Sequence, residues 1–593
     1  MAPFDRGNLI HEKAEEVYEG AAEQAPSVEQ REAVLWRWLE DLATESDRVR
    51  RQDAGFDMFE KWMDLYRGRH WPGSMPSFRP PIVVNELRSL ILSEASDLSD
   101  ANLRLYVMKD PKNGGRDEDA ERAVRALWVR EQVDLKLVEA MMWALILGTG
   151  YLRIGWDPDG HQGMGDVTVR SEDPRHVLPD PDATDDRNMR FVLFETVLDI
   201  QEIRRLFPRT GMRVKPEDAW SVQDRNSASA SPQGVSWPSY MGPLHNDQSL
   251  LGRGALGYKK ARARVLDLYV EDPTTETVFA AKTDISGLPM KDTDGNVIYE
   301  ESYRPKYPKG RRIVGANGVI LFDDPNPNPG GDKGVLRVIL EPSLDSFWGQ
   351  GFVQQTGELQ MAADKLMSAV VENAIRLNNG IVVATTNTGL DLESFSGIPG
   401  QLVQINPGST FEIKYPTPMP PDMISAPGRM LDMQRRVLGF PDSRGGTGAP
   451  GNRSAEMTET EISQAQGATR LRGRMMYYTV QRLCEMIFAR MASNYMTERT
   501  IPAVEGENFK PVIWKPLDRP ERYSIYVDPA CFQIMSRTML KRLGLALYRL
   551  RAIDRASLLE AIGWPEWEDT AKRLDQSEQM AAYMKMMAKR KVG

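Results

Sequence analysis

Cysteine is almost missing. Only Cys484 and Cys531 occur in 593 residues, with no C-x-x-C spacing, which argues against a disulfide scaffold or a structural zinc site and suits a reducing compartment. Both are expected to be buried thiols. Histidine is nearly as scarce: His11, His70, His161, His176 and His245 are scattered, and HEKAE at His11 lacks the second histidine that would complete a zinc face on a helix. No glycine precedes a Lys followed by Ser or Thr, so the phosphate-cradling loop of a nucleotide-driven motor is lacking, and GGDKG at Gly330 does not replace it. GVSWP at Gly234 places Pro238 where a nucleophile elbow needs glycine. The cluster Gly148, Gly150 and Gly155 leads from helix into strand, the wrong order for holding a pyrophosphate, and reads as tight packing. With no catalytic constellation in view, neither an enzyme nor a cofactor nor a metal site is expected.

Long apolar runs are lacking too. The most apolar segment, AMMWALIL (Ala140 to Leu147), lies between Glu139 and Arg153 and falls short of the roughly 20 apolar residues that span a bilayer. MAPFDRGNLIHEKAEEVYEG carries acids where an export signal needs a basic start and an apolar stretch. Neither membrane anchoring nor export is expected. Hydrophobic residues at 41% and charged residues at 27% exclude wholesale disorder, and the length calls for several subdomains. The formal charge of -9 disfavours a surface that clings to nucleic acid throughout, because such binding draws on Lys and Arg neutralising phosphates.

What is present is a succession of periodicities. Ser27 and Gln30 are spaced as a capping box before Val34, Leu35, Trp38, Leu39 and Leu42, which share one helical face. FEKWMDLYRGRHWP closes a second helix on Gly68 and Pro72, and Val124, Leu127 and Trp128 mark part of another amphipathic stretch. At GTGYLRIGWDPDGHQGMGDVTVR the period changes from helix to a β-hairpin that turns around Asp157 to Gly160. Two Asp-Pro pairs in SEDPRHVLPDPDATDD precede a strand, FVLFETVL, and a short helix that starts at Asp199, has Glu202 at the capping-box position and stops at Pro208. From Gly211 to Gln248 Ser, Pro, Asn and Gly dominate, as in a long loop. Beyond it ARARVLDLYV, ETVFAAKT, NVIYEESY and RRIVGANGVILF read as a β module of about 80 residues, with Asn317-Gly318 set for a tight primed hairpin turn.

Leu359, Ala363, Leu366, Val370, Ala374 and Leu377 alternate by three and four, predicting a long helix that ends on Asn379-Gly380. IVVAT and QLVQI return to strand, a helix follows around MLDMQRRVLGF, and PDSRGGTGAPGN is a glycine-rich loop. Ser454 is placed to cap a further helix running to about Met496, roughly 60 Å long, with Met457, Ile462, Ala465, Leu471, Val480, Leu483, Ile487 and Met491 on its apolar stripe. The C-terminal stretch is helical again, broken at Gly563-Trp564-Pro565. The fold class expected is α+β, mainly α.

Three charged groups stand out. Asp180, Asp182, Asp185 and Asp186 could hold a hard cation such as calcium, but Asp-Pro pairs cap turns and Asp side chains satisfy loop amides, which makes a structural loop the better reading. Arg444 and Arg453 flank the glycine-rich loop, where mobile cations can meet phosphates without base readout; the alternative is a solvated loop. Arg470, Arg472 and Arg474 could form another phosphate patch, although on a long helix such charges more often face a neighbouring subunit or water.

Taken in order, these elements resemble the portal proteins (head-to-tail connectors) of tailed bacteriophages over nearly the whole chain. GTGYLRIGWDPDG followed by EDPRHVLPDPDATDDRNMRFVLFETVLDIQEIRRLFP is similar to that family's helix-to-hairpin transition, aspartate-proline loop and short helix before the clip. FWGQGF leading into ELQMAADKLMSAVVENAI resembles the return from clip into stem, and VLGFPDSRGGTGAPGNRSAEMTETEISQAQ resembles the tunnel-loop region before a long wing helix.

The resemblance implies a fold of wing, stem, clip and crown. Residues 1–198 are then an N-terminal wing, 199–210 a first stem helix, 211–342 the clip, and 343–380 a second stem helix. The clip is β-rich from Ala261 to Asp323 and carries the hairpin Asn317-Gly318. Wing strands and a helix fill 381–440, a tunnel loop with Gly445, Gly446, Gly448 and Gly451 fills 441–452, a long wing helix and strands fill 453–530, and crown helices fill 531–593.

It also implies a ring, of twelve subunits in the mature virion, at the unique capsid vertex. Double-stranded DNA passes through such a ring in packaging and ejection, and Arg444 and Arg453 are the channel candidates. The implied partners are further copies of the chain, the DNA, the terminase large subunit that supplies ATP-driven force, the major capsid protein, the scaffolding protein, and head-tail adaptor or tail proteins, with no membrane. The implied place is the virion, after assembly in the host cytoplasm. An acidic chain with few placed basic residues suits a sliding duplex, since each neutralised phosphate deepens the well the duplex must leave. The rival reading is another large virion structural protein of the tail or injection apparatus, which has no need of a β insertion between helices.

Overall fold

The computed structural model describes residues 27–71, 80–99, 105–109, 115–217, 261–281, 299–344, 346–378, 381–384, 406–414, 418–440, 467–505, 508–516, 523–528, 544–550, 552–562, 570–571 and 573–574. In chain order these form α1 (Val28–Asp53), α2 (Phe59–Arg67), α3 (Glu86–Ser99), β1 (Leu105–Lys109), β2 (Gly115–Arg116), α4 (Glu118–Arg130) and α5 (Val133–Leu147). Then come β3 (Gly150–Asp157), β4 (Asp166–Glu172), β5 (Val177–Pro179), β6 (Phe191–Asp199), α6 (Ile200–Leu206), β7 (Arg262–Val270), β8 (Thr275–Ala281), β9 (Tyr299–Pro305), β10 (Arg311–Ala316), β11 (Val319–Pro325) and β12 (Val335–Val338). The last part holds α7 (Phe352–Asn378), β13 (Ile381–Ala384), β14 (Phe411–Lys414), α8 (Pro421–Val437), α9 (Gly467–Asn494), β15 (Arg499–Glu505), β16 (Asn508–Trp514), β17 (Tyr523–Val527) and α10 (Arg555–Ile562). The chain is α+β, with helices outweighing small antiparallel sheets. It divides into two compact units, one on Met1–Ser96, Leu135–Gly155 and Thr168–Thr469, the other on Asp97–Asp134, Trp156–Val167 and Arg470–Gly593.

In the first unit, the α1 capping box forms as its spacing predicts: Gln30 N–H donates to Ser27 Oγ at 3.3 Å and Ser27 N–H to Gln30 Oε1 at 2.9 Å. Leu39, Leu42 and Ala43 of this helix pack on one face of a five-stranded antiparallel sheet, order β11-β10-β7-β6-β5, against Leu193, Leu266, Leu268 and Ile313. Period-two alternation turns Ala263, Val265, Val314 and Ala316 to the other face, where Ile200 and Ile203 of α6 cover them. Each fully buried Leu or Ile contributes about 1.5–3 kcal/mol. The β strands of the predicted module divide between two structures. β7, β10 and β11 join β5 and β6 in this sheet, while β8 and β9 pair as a separate two-stranded ribbon. Pairing of β6 with β7 over Phe191 to Asp199 brings together strands from both sides of the Ser- and Pro-rich stretch, a long-range register that composition does not reveal.

A second sheet has the order β12-β3-β4. Its β3 to β4 connection is wider than the predicted four-residue turn, because a helical turn at Gly160–Gly163 lies between the strands. The predicted long helix is α7, 27 residues or about 40 Å. Its most buried face differs from the predicted stripe: Leu359, Leu366, Val370 and Leu377 are half-buried and Ala374 is exposed, whereas Thr356, Gln360, Asp364 and Ser368 are sealed alongside Ala363. α8 lies beside α7, with the Phe352 and Phe440 rings in edge contact at 6.0 Å. β13 pairs with β14, while the predicted strand QLVQI lies outside the described residues.

The second unit contains a sheet of order β17-β1-β2, the β15-β16 hairpin, α4 and most of α9. The buried face of α9 carries Val480, Leu483, Ile487 and Met491 as predicted, with Met476 added and Leu471 exposed. The described helix starts at Gly467, so the predicted cap Ser454 and Met457, Ile462 and Ala465 fall outside the described residues. Cys484 is buried, and burial with Glu485 nearby pushes its thiol up to about 12; Cys531 is outside the described residues. Asp166 is held in this unit by Arg130 and by the Tyr495 hydroxyl, which donates at 2.6 Å.

Candidate conduit and docking elements

The hairpin Asn317-Gly318 closes β10 on β11. Asn317 and Gly318 have φ of 43° and 80°, the left-handed pair that a primed two-residue turn demands, and Ala316 faces Val319 across it. The Asn317 amide donates to the Lys215 carbonyl at 2.9 Å, tying the turn to the chain that follows α6. Two residues earlier, a Cβ on Gly315 would lie 2.9 Å from a Trp36 ring carbon and 3.0 Å from Leu39, so the missing side chain is what lets α1 lie down on the sheet.

The sheet face on the α6 side contains a buried ionic set. Asp267 accepts two bonds from Arg312 at 2.9 Å and one from Arg153 at 2.5 Å. Arg153 also stands over the Phe194 ring at 4.0 Å, and Arg312 over the Tyr269 ring at 5.2 Å. Burial raises the Asp267 carboxyl, but the Arg312 and Arg153 charges and their hydrogen bonds outweigh it and hold the group below the usual carboxylate range. One carboxylate thereby links the paired strands β7 and β10 to β3 of the other sheet.

The aspartate-rich loop is turned toward arginines. Asp180 accepts the Arg190 guanidinium at 2.8 and 3.0 Å and the Arg190 and Asp182 backbone N–H groups at 3.0 and 3.1 Å. Asp182 accepts Arg190 at 2.6 Å, and Asp185 accepts Arg337 at 3.0 Å. Although burial works against it, the Arg190 hydrogen bonds keep Asp180 ionised below its ordinary range. Among the described residues no group of three or more His, Cys, Asp or Glu side chains is arranged to hold a metal ion. The loop's carboxylates act as ties that fix a turn.

Gly148, from the cluster that reads as tight packing, forms a joint with a second glycine run at Gly349 and Gly351. A Cβ on Gly148 would lie 2.1 Å from the Gly349 carbonyl oxygen, one on Gly349 would lie 2.3 Å from the Gly148 oxygen, and one on Gly351 would lie 2.5 Å from the Ile146 oxygen. Gly349 N–H donates to Thr149 Oγ1 at 3.0 Å. GTG and GQG thus press backbone against backbone, leaving no space for a phosphate.

The channel candidates Arg444 and Arg453 and the loop glycines Gly445, Gly446, Gly448 and Gly451 lie outside the described residues. Of the other arginine group, Arg472 is buried while Arg470 and Arg474 are exposed, so the three do not share one open patch. Sequence reasoning missed the polar line Thr356, Gln360, Asp364 and Ser368. The signal was there in the fourfold spacing, but polar residues at that spacing read as a solvated face. No helix among the described residues is long and apolar enough to cross a membrane.

A family model described as phage P22-like portal protein matches residues 46–518, well over half the chain. No curated protein matches it. The match begins within α1, takes in the aspartate loop, the sheet with its hairpin, the glycine joint and the long helix, and ends just past β16: the chain belongs to the P22-like phage portal protein family.

Proposed function

We propose that twelve copies of the chain form a ring at the unique capsid vertex and that double-stranded DNA passes through its bore in packaging and ejection. The family match over residues 46–518 carries this reading. Subunits related by a single rotation use two different patches head to tail, which closes into a ring at the right angle and leaves a central hole. The chain itself does no chemistry; the terminase large subunit supplies the force. Residues 211–342, with β7, β10 and β11, the Asn317-Gly318 hairpin and the β8-β9 ribbon, are the clip, meeting terminase first and head-tail adaptor or tail proteins later. α6 and α7 are the stem, gripped by the major capsid protein at the vertex. With only seven residues, α6 lies on the sheet, so α7 supplies the length. Residues 441–452 are the tunnel loop, with Arg444 and Arg453 meeting phosphates without reading bases; the helices beyond 531 are the crown, and scaffolding protein directs the ring into the growing capsid.

Electron microscopy of the purified chain tests the ring. Rings near twelvefold with a central hole are expected, and monomers or open fibres at every concentration overturn the reading. Arg444→Glu is expected to alter DNA retention or packaging while rings still assemble. Unchanged packaging and retention would remove Arg444 from the DNA-facing surface.

A further inference from the structure

Residues 80–85 precede α3 without regular structure, yet α7 and its neighbours hold their backbone closely. Val84 N–H donates to Asp364 Oδ1 at 2.9 Å, Ile82 N–H to Ser368 Oγ at 3.2 Å, and the Gln360 amide to the Val84 carbonyl at 2.5 Å. The Trp71 indole donates to the Ile82 carbonyl at 3.1 Å. Gln360, Asp364 and Ser368 recur every fourth residue, one line on the helix, and that line acts as a ladder for an extended segment.

His70 sits at the centre of the ladder. Its Nδ1 meets Asp364 and its Nε2 meets the Leu65 carbonyl at 2.8 Å, with both the His70 and Asp364 side chains sealed from solvent. Asp364 already accepts from Val84 N–H and, at 3.3 Å, from the Gln360 amide, which suits the carboxylate form. Against a carboxylate and a carbonyl, which only accept, the ring satisfies both contacts by carrying hydrogen on both nitrogens, the cationic form.

We propose that residues 80–85 are a strap on the long helix and that His70, as a doubly protonated imidazolium, is its clasp, so that the strap loosens when the ring gives up its second proton to solvent. The inference is independent of the conduit reading. Other charged groups around the clasp are engaged elsewhere. On its own segment Asp64 pairs with Arg67 at 4.0 Å and Arg69 at 3.9 Å. Lys61 pairs with Glu358 of α7 at 2.9 Å, and Glu86 of α3 with Arg435 of α8 at 2.8 Å. Burial alone lowers the affinity of His70 for its proton, but the Asp364 hydrogen bond, the Leu65 carbonyl and the Asp364 charge outweigh it, so the ring titrates above its ordinary 6.5. A raised folded value means that the stabilisation is complete below pH 6.5 and is lost as pH rises through the folded midpoint.

The test is an NMR titration of the full chain carrying labelled histidine, whose five rings are assigned with a His70→Gln variant, alongside hydrogen exchange at Val84 and Ile82. The expected result is a His70 midpoint above 6.5 that moves back toward 6.5 in Asp364→Asn. Across that midpoint, exchange at Val84 should quicken beyond the rise that base catalysis gives unprotected amides, and His70→Gln should lack this extra step. A His70 midpoint at or below 6.5 in the unmodified chain overturns the proposal even if neither variant folds. So does protection at Val84 that ignores the midpoint.

Discussion

Against the five-stranded sheet, buried charge meets charge: Asp267 of β7 lies between Arg312 of β10 and Arg153 of β3, a strand of the other sheet. On α7, buried polar side chains meet backbone, as Gln360 and Asp364 do with Val84. The first arrangement joins strands that already have ladder hydrogen bonds within their own sheets. The second supplies partners to a segment that has no strand or helix ladder of its own, which answers the requirement that buried N–H and C=O groups be paired. A helix interior can therefore be polar when what packs on it is bare backbone.

The largest effect that sharpens this contrast is expected from Asp267→Asn, which takes from Arg312 its carboxylate and leaves Arg153 only the more distant Glu172, at 4.0 Å. A loss of about 3–5 kcal/mol is expected in denaturant unfolding. Gln360→Leu should cost less, about 1–3 kcal/mol, because it strands the Leu87 N–H that Gln360 accepts at 3.4 Å and leaves the Val84 carbonyl only the Glu86 N–H. Equal losses from the two would erase the distinction between charge-sewn sheet and backbone-reading helix.

A smaller contrast is one of pH. His176, before β5, is buried; that burial, helped by Arg175 and Arg50 and opposed by Asp173 and Glu195, pushes it below 6.5. A lowered folded value means that its neutral form is the stable one, so stability is full above pH 6.5 and falls as pH drops through the folded midpoint. The sheet side should weaken toward acid and the His70 side toward alkali. Melting curves from pH 5 to 8 on the unmodified chain and His176→Gln check this: the variant should lose the acid limb and keep the alkaline one. An acid limb that persists unchanged assigns it to other groups.

Local signals were legible in the sequence. Ser27 with Gln30 and Asn317-Gly318 are decided by capping and turn chemistry within a few residues, and each stands where its residues place it; the predicted helix end at Asn379-Gly380 lies outside the described residues. Long-range choices were not. Nothing in FVLFETVL says that its partner is the strand of ARARVLDLYV beyond the Ser- and Pro-rich stretch, and nothing in α7 says that Thr356, Gln360 and Asp364, rather than Leu359 and Leu366, face inward, because the partner of that polar line is an irregular segment almost 300 residues away. The candidate channel residues rest on the resemblance and on the family, since Arg444 and Arg453 fall outside the described residues.

The glycine joint limits how such a chain can be recombined. Because Gly148 and Gly349 exclude each other's Cβ, and Gly351 approaches the Ile146 carbonyl as closely, the two triplets behave as one part supplied in two pieces. A chimera with a crossover anywhere between residues 151 and 348 inherits the halves of that part from different parents, and its success turns on whether both bring bare backbone to the same place. Exchanging the sheet and ribbon as a cassette that leaves both triplets in one parent avoids the problem.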